Sequence, residues 1–194
     1  MIGIRRATDD DRAAAASVLG EAFAEDPMIR WPFPVDATQA DVTRMFDVLL
    51  AVYLPLEVVW VTEDLNGAAV WLPPTEARRF EEIDRSTRDS IRPLTDEDGA
   101  RYEAFWDWVA AHIPDEPCYF LDAIGVHPRA QGRGLGRSLI EPELHHAFAE
   151  GLPAFLETGN PDNVPMYEHL GFRTVESSGA PDGGPTIWFM RADP

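Results

Sequence analysis

The run "PCYFLDAIGV", residues 117–126, constrains the fold more than any other stretch. It is apolar on both of the faces that a strand presents in alternation, so it belongs in a sheet covered on both sides. It passes through a His127-Pro128 turn into a glycine-rich entry and a helix over 133–150, and then into a second strand, "LPAFLET", 152–158. Strand, helix and strand in that order, from 118 to 157, make a parallel unit. Pro142 removes one backbone bond from the helix and is expected to kink it.

The flanking segments add mostly antiparallel structure. "IGIRRAT" reads as a short first strand, and "TDDDRAAAASVLGEAFAEDP" as a helix with Thr8 or Asp9 as N-cap and Pro27 as its stop. "WPFPVDAT" is a proline-rich turn. A helix over 37–53 carries Val42, Met45, Phe46, Leu49, Leu50 and Tyr53 at helical spacing. "LEVVWVTED" and "GAAVWLPP" are strands joined at Asn66-Gly67, a strong hairpin signal. Residues 75–113 pattern as two helices broken near Arg92-Pro93, the second holding Tyr102, Phe105, Trp106, Trp108 and Val109. "NPDNVPMYEHLG" is a capped helix with Asn160 as N-cap, Pro161 at its first position and Gly171 as terminator. "FRTVES" and "TIWFMRA" close the chain as strands. The expected architecture is α+β: one domain over 1–194, a mixed sheet, and a helical insert at 75–113.

Composition narrows the function. The 194 residues carry a formal net charge of −18, and all 16 basic residues are arginine. Nucleic acid is a poor partner for such a chain, because phosphate backbones demand clustered cations; a cationic small molecule is a natural one. No run of about 18 apolar residues is present, so no membrane span is expected. The N-terminus lacks a signal core, and the single cysteine, Cys118, suits a reducing cytoplasm.

Against that acidity, residues 124–139 contain no acid but hold Arg129, Arg133 and Arg137. Gln131-Gly132-Arg133-Gly134-Leu135-Gly136 stands between a strand and a helix. Unpaired N–H groups at a helix start, the positive end of the helix dipole and nearby arginines together favour a phosphate. Gln131 occupies the place of the first glycine of a P-loop, and Arg137 that of the last glycine of a dinucleotide fingerprint, so neither pattern applies.

The stretch resembles the signature of the GNAT superfamily of N-acetyltransferases, Gln/Arg-x-x-Gly-x-Gly/Ala, and "NVPMYEHLGF" at 163–172 resembles that superfamily's second segment. "EAFAEDP", "IGVHPRAQGRGLG" and "FLETGNPDNVPMYEHLGF" are further similar to the puromycin N-acetyltransferase branch. The resemblance implies a mostly antiparallel sheet of about seven strands flanked by helices, and acetyl-CoA as acyl donor without a metal. It implies that Ile124, Gly125, Val126, Gln131, Gly132, Arg133, Gly134, Leu135, Gly136, Arg137, Ser138, Asn160, Asn163 and Tyr167 bind the cofactor, with Gly125 at a bulge or a close backbone approach. Tyr167 would protonate the departing sulfur.

Glu157, at the end of its strand, is the first candidate for the base. Asp122 is a second, with burial raising its pKa, or else a paired structural carboxylate. Asp26 and Glu21 stand where the superfamily builds its acceptor wall, and Asp26, Trp31 and Phe33 are the expected acceptor contacts. His127 is expected to face solvent. The acceptor is expected to be a small-molecule amine, with a peptide or protein amine, or a non-catalytic acyl-CoA sensor, as alternatives. The protein is expected to be a monomer or a homodimer.

Overall fold

The computed structural model describes residues 3–75, 87–96 and 99–194. Seven strands form one sheet: β1 (Ile4–Arg6), β2 (Val59–Thr62), β3 (Gly67–Leu72), β4 (Tyr119–Val126), β5 (Ala154–Thr158), β6 (Arg173–Gly179) and β7 (Thr186–Ala192). Their order is β1-β2-β3-β4-β5-β7-β6. The pair β4/β5 is parallel, and the other five pairs are antiparallel. This is the mixed, mostly antiparallel α+β sheet that the sequence leads one to expect.

Helices α1 (Arg12–Ala22), α2 (Pro27–Arg30), α3 (Gln39–Tyr53), α5 (Ala100–Ala110), α6 (Leu135–Ala149) and α7 (Val164–His169) accompany the sheet, with a short helical segment, α4, at 87–91. One face of the sheet packs on α1, α3 and α5 through Leu19, Phe46, Leu50 and Phe105. The other packs on α6 and α7 through Leu139, Ile140, Leu144 and Tyr167. The central strand is therefore covered on both sides, as its uninterrupted apolar run requires. Of the expected insert, residues 76–86 lie outside the described residues.

Several local readings need correction. Pro27 does not merely stop the first helix; it opens α2, and Asp26 caps that turn by accepting from the N–H groups of Met28 (2.9 Å) and Ile29 (3.3 Å). The β2–β3 connection is not a two-residue Asn-Gly turn. Leu65 takes the left-handed conformation (φ 54°), and Gly67 already belongs to β3, opposite Val126. The Thr62 hydroxyl organises this turn by accepting from the N–H groups of Asn66 and Gly67, both at 3.0 Å. Pro142 lies inside helix α6, where the sequence places it.

The bulge expected at Gly125 lies at Asp122. Val70 pairs with Ala123 and Trp71 with Leu121, leaving Asp122 as the extra residue of β4. A bulge re-aims side chains. Before it, Phe120 belongs to the α1–α3 face; after it, Ala123 does, so the alternation has slipped by one. Gly125 serves close approach instead: a Cβ there would lie 2.8 Å from Ala22 Cβ and 3.0 Å from Leu19 Cδ2. Helix α1 rests directly on the β4 backbone.

Gly125→Ala is accordingly expected to push α1 off the sheet and to cost about 1–3 kcal/mol. Urea unfolding of the variant beside the wild type measures this, and an unchanged midpoint would mean that α1 shifts freely.

Candidate active site

The parallel ladder between β4 and β5 has only two rungs, Tyr119↔Ala154 and Phe120↔Phe155. β4 nevertheless remains paired to β3 as far as Val126, and β5 to β7 as far as Thr158. The two strands thus part beyond Phe120 and Phe155 while each is held on its outer side. A strand edge left open in this way has free N–H and C=O groups with which an extended ligand can pair.

Past the end of β4 the chain turns through the glycines into α6. Gly132 (φ 74°) and Gly134 (φ 81°) take the left-handed conformation, and Gly134 is the N-cap of α6. No side chain caps this helix start. The Leu135 side chain is buried, 5% exposed, and anchors the first turn so that its amides stay fixed. Ser138 donates its N–H (3.0 Å) and its hydroxyl (3.1 Å) to the Gly134 carbonyl, closing the turn from inside.

Among the neighbouring polar groups, Gln131 Nε2 donates to the Val126 carbonyl (3.2 Å), tying the loop to the strand end. Arg129 donates to Asn66 Oδ1, and Arg137 pairs with Glu141 at 2.7 Å. Arg133 is exposed and joins no ion pair among the described residues. A helix start with uncapped amides beside a mobile cation suits a diphosphate.

Deeper in, a cavity with about 100 Å³ of room for the centres of water-sized molecules lies between the sheet and the helices α2, α3 and α5. Its walls are apolar and aromatic, with Phe23, Met45, Phe46, Tyr53, Trp106 and Phe120 among them. Its acidic groups are Asp26 from the α2 cap, Asp122 from the bulge and Glu157 from β5; Asn163 from the turn before α7 and Tyr167 from α7 line it too, and hydroxyls of Tyr53, Thr87, Tyr102 and Thr158 come from lining residues on several elements. The β4–β5 parting brings Asp122 and Glu157 to one wall.

Burial, and then the Asp122 charge, push the Glu157 carboxyl well above the ordinary carboxylate range. Its Oε2 is buried without a hydrogen-bond partner. Burial also raises Asp26, although the Ile29 and Met28 amides oppose that rise. Tyr167 is 5% exposed, and its phenol is raised by burial first and then by the charges of Asp26 and Glu157. Leaving a buried polar group unpaired costs about 1–3 kcal/mol, more for a charge, so Glu157 is poorly placed for stability alone.

Tyr167 owes its position to the end of its own helix. Gly171 (φ 96°) lets its N–H reach the Glu168 carbonyl (3.0 Å) and the Phe172 N–H reach the Tyr167 carbonyl (3.1 Å). That Schellman closure brings the Phe172 ring to 6.0 Å from the Tyr167 ring, edge to face. The Leu-Gly-Phe motif is thus a device that fixes the tyrosine. Asn160 caps the turn before α7 by accepting from the Asp162 N–H (3.0 Å).

The other expected acceptor contacts sit elsewhere. Phe33 is packed in the core, 3% exposed. Trp31 lines a separate depression with Arg101, Pro181 and Asp182, and the Arg101 guanidinium lies 5.3 Å from its ring centroid. Glu21 does not face the cavity: its Oε2 lies 2.8 Å from His127 Nε2. His127 therefore does not simply face solvent. Its Nδ1 accepts from the Arg129 N–H, so Nε2 carries the proton donated to Glu21, and the pair ties α1 to the end of β4. The aromatic lining from α3 and α5 was visible in the sequence only as core periodicity; nothing in the spacing said that the core stops short of closing.

Residues 63–172 match the Acetyltransferase (GNAT) family. An uncharacterized N-acetyltransferase of Schizosaccharomyces pombe is 28% identical over 180 residues, 87% of this chain and 73% of that protein. A mycothiol acetyltransferase of Streptomyces griseus is 39% identical over 72 residues, 36% of this chain, and the match spans only 23% of its own length. Among solved structures, a histone acetyltransferase HPA2-related protein of Corynebacterium glutamicum superposes with a TM-score of 0.71 at 22% identity, covering 100% of this chain and 97% of its own. An arylalkylamine N-acetyltransferase of Aedes aegypti superposes with a TM-score of 0.67 at 15% identity, covering 99% and 98%.

Glu157→Gln tests the buried carboxyl. A carboxyl whose folded-state pKa is raised favours the folded state less as pH climbs from the ordinary glutamate value near 4.3 towards the raised one. The Gln variant lacks that loss, so its melting temperature should exceed the wild type's by a margin that widens from pH 4.5 to pH 8. A constant margin would mean that Glu157 is ionised as easily in the fold as outside it.

Proposed function

The chain belongs to the GNAT family of acetyltransferases, and from that premise we propose that it moves the acetyl group of acetyl-CoA to a primary amine of a small molecule. The observation that carries this reading is a cavity that joins an aromatic chamber to three carboxyl groups and a phenol where β4 and β5 part. An organic amine suits it: the apolar body fills the chamber, and the carboxylates draw the cationic end. The segments similar to the puromycin N-acetyltransferase branch support an antibiotic or other xenobiotic amine as acceptor.

The residues fit the donor. The uncapped amides of residues 134–137, with Arg133 beside them, hold the diphosphate. The open edge of β4 from Ile124 to Val126 pairs with the extended arm. Acetyl-CoA supplies the acetyl group as a thioester. An N–H at the open edge stabilises the carbonyl oxygen as charge grows on it.

Glu157 takes one proton from the amine, directly or through water, so that the nitrogen lone pair is free to attack. The new C–N bond forms as the C–S bond breaks, Tyr167 gives its proton to the sulfur, and the phenolate so formed takes the second proton from the new amide nitrogen, while the proton on Glu157 leaves to water. The two residues act in concert. The Glu157 charge is one of the causes that hold the phenol high. Once Glu157 has accepted the amine proton, that cause is gone and the phenol becomes the better acid. Asp122 keeps Glu157 basic from the neighbouring strand.

Two measurements check this. Acetyl-CoA should raise the melting temperature, and a pantetheine fragment lacking the 3′,5′-ADP portion should do so far less; no shift at millimolar acetyl-CoA would remove the donor site. Tyr167→Phe should slow turnover at least about tenfold while leaving acetyl-CoA affinity nearly intact. Unchanged turnover would make the tyrosine a packing residue only.

A further inference from the structure

Three buried side-chain polar atoms have no hydrogen-bond partner among the described residues: Glu157 Oε2, Trp106 Nε1 and Trp60 Nε1. Trp60 lies against the opposite face of the sheet, under the Arg6 guanidinium at 3.7 Å. Glu157 and Trp106 are both lining residues of the cavity between the sheet and α2, α3 and α5. They are of opposite kind: a carboxylate oxygen that accepts, and an indole N–H that can only donate. Glu157 is accounted for by the amine. Trp106 is not used by any step of the reaction.

We propose that Trp106 is a specificity-determining residue, and that the acceptor amine carries a second polar group, a hydrogen-bond-accepting oxygen distant from its nitrogen, which the indole N–H binds. This deepens the acceptor reading above and rests on it. Trp106 comes from α5, whereas the carboxylates come from α2, β4 and β5, so the donor and the amine-binding groups belong to different walls of the cavity. Its ring is held in place by Phe105, edge to face at 5.2 Å, and by Tyr102 at 6.1 Å. A held ring gives its N–H a fixed direction before any ligand arrives, which is how a site discriminates by hydrogen bonding. An apolar wall needs no indole N–H there, because a hydrocarbon ring lines a cavity without burying a donor. A purely hydrocarbon amine would leave that donor unsatisfied; an amine with an ether, carbonyl or hydroxyl oxygen at its far end satisfies it.

The test compares matched amines on the full chain with acetyl-CoA, following thiol release. 4-Methoxyphenethylamine offers an ether oxygen, and 4-ethylphenethylamine has the same shape without it; 6-aminohexanamide and heptylamine form an aliphatic pair. The wild type should prefer the oxygen-bearing member of a pair by about 5- to 100-fold in kcat/KM. Trp106→Phe should abolish that preference, read as the ratio of the two matched amines within the variant. Equal preference in both proteins, or none in the wild type, overturns the proposal and leaves the acetyltransferase reading standing. If the wild type acetylates none of these amines while acetyl-CoA still raises its melting temperature, the small-amine reading falls and this inference with it. A second readout does not depend on turnover or on the variant's stability. In ¹⁵N-labelled wild type, the Trp106 indole resonance should move on adding 4-methoxyphenethylamine and not on adding 4-ethylphenethylamine; equal movement with both overturns the proposal.

Discussion

Two hydrogen-bonded rungs hold β4 to β5, and then the strands separate. That short ladder is the feature from which the site follows. Each strand is fixed on its outer side, β4 by β3 and β5 by β7, so the gap between them is rigid rather than frayed. The gap leaves one edge of β4 unpaired, gives Asp122 and Glu157 a common cavity, and leads from the glycine turn at the start of α6 to the aromatic chamber on the other side of the sheet. A sheet that paired fully at this point would bury the same residues and have nowhere to put a ligand.

Around the gap the chain keeps local conflicts that a stability-only design would remove. Glu157 is buried with an unsatisfied oxygen beside another acid. Trp106 hides a donor in an apolar wall. Asp122 interrupts a strand that is otherwise apolar, and does so at a bulge. These departures share one cavity, whereas most of the remaining core is satisfied hydrocarbon. Clustered violations of this kind are what function demands of a fold, because groups satisfied within the protein have nothing left to offer a substrate.

Much of this was legible along the chain. The apolar strand, the glycine entry and the capped helix ending in Leu-Gly-Phe are local patterns, set by neighbours a few residues apart, and the structure has each of them. The errors were also local. Asn66-Gly67 signalled a hairpin, but the Thr62 hydroxyl draws the turn back by several residues. Gly125 signalled irregularity, but its cause is a helix resting on the strand, and the bulge lies three residues earlier. Trp31 and Phe33 looked like acceptor contacts because they sit in a loop; the fold packs Phe33 inside and turns Trp31 towards Arg101. The hairpin turned on a side chain four and five residues away that the Asn-Gly pattern leaves out, and the other two readings on segments distant in sequence.

By itself the sequence determined the kinds of element and the anion-binding turn, because backbone conformation and amide exposure depend on residues close together in the chain. Only the tertiary structure decided which acids meet, where the core fails to close and which indole lines the space left over. Those outcomes depend on how far two strands stay paired and on which helices cover them. Such distances are set by packing between segments as much as 137 residues apart, and no window of sequence contains them.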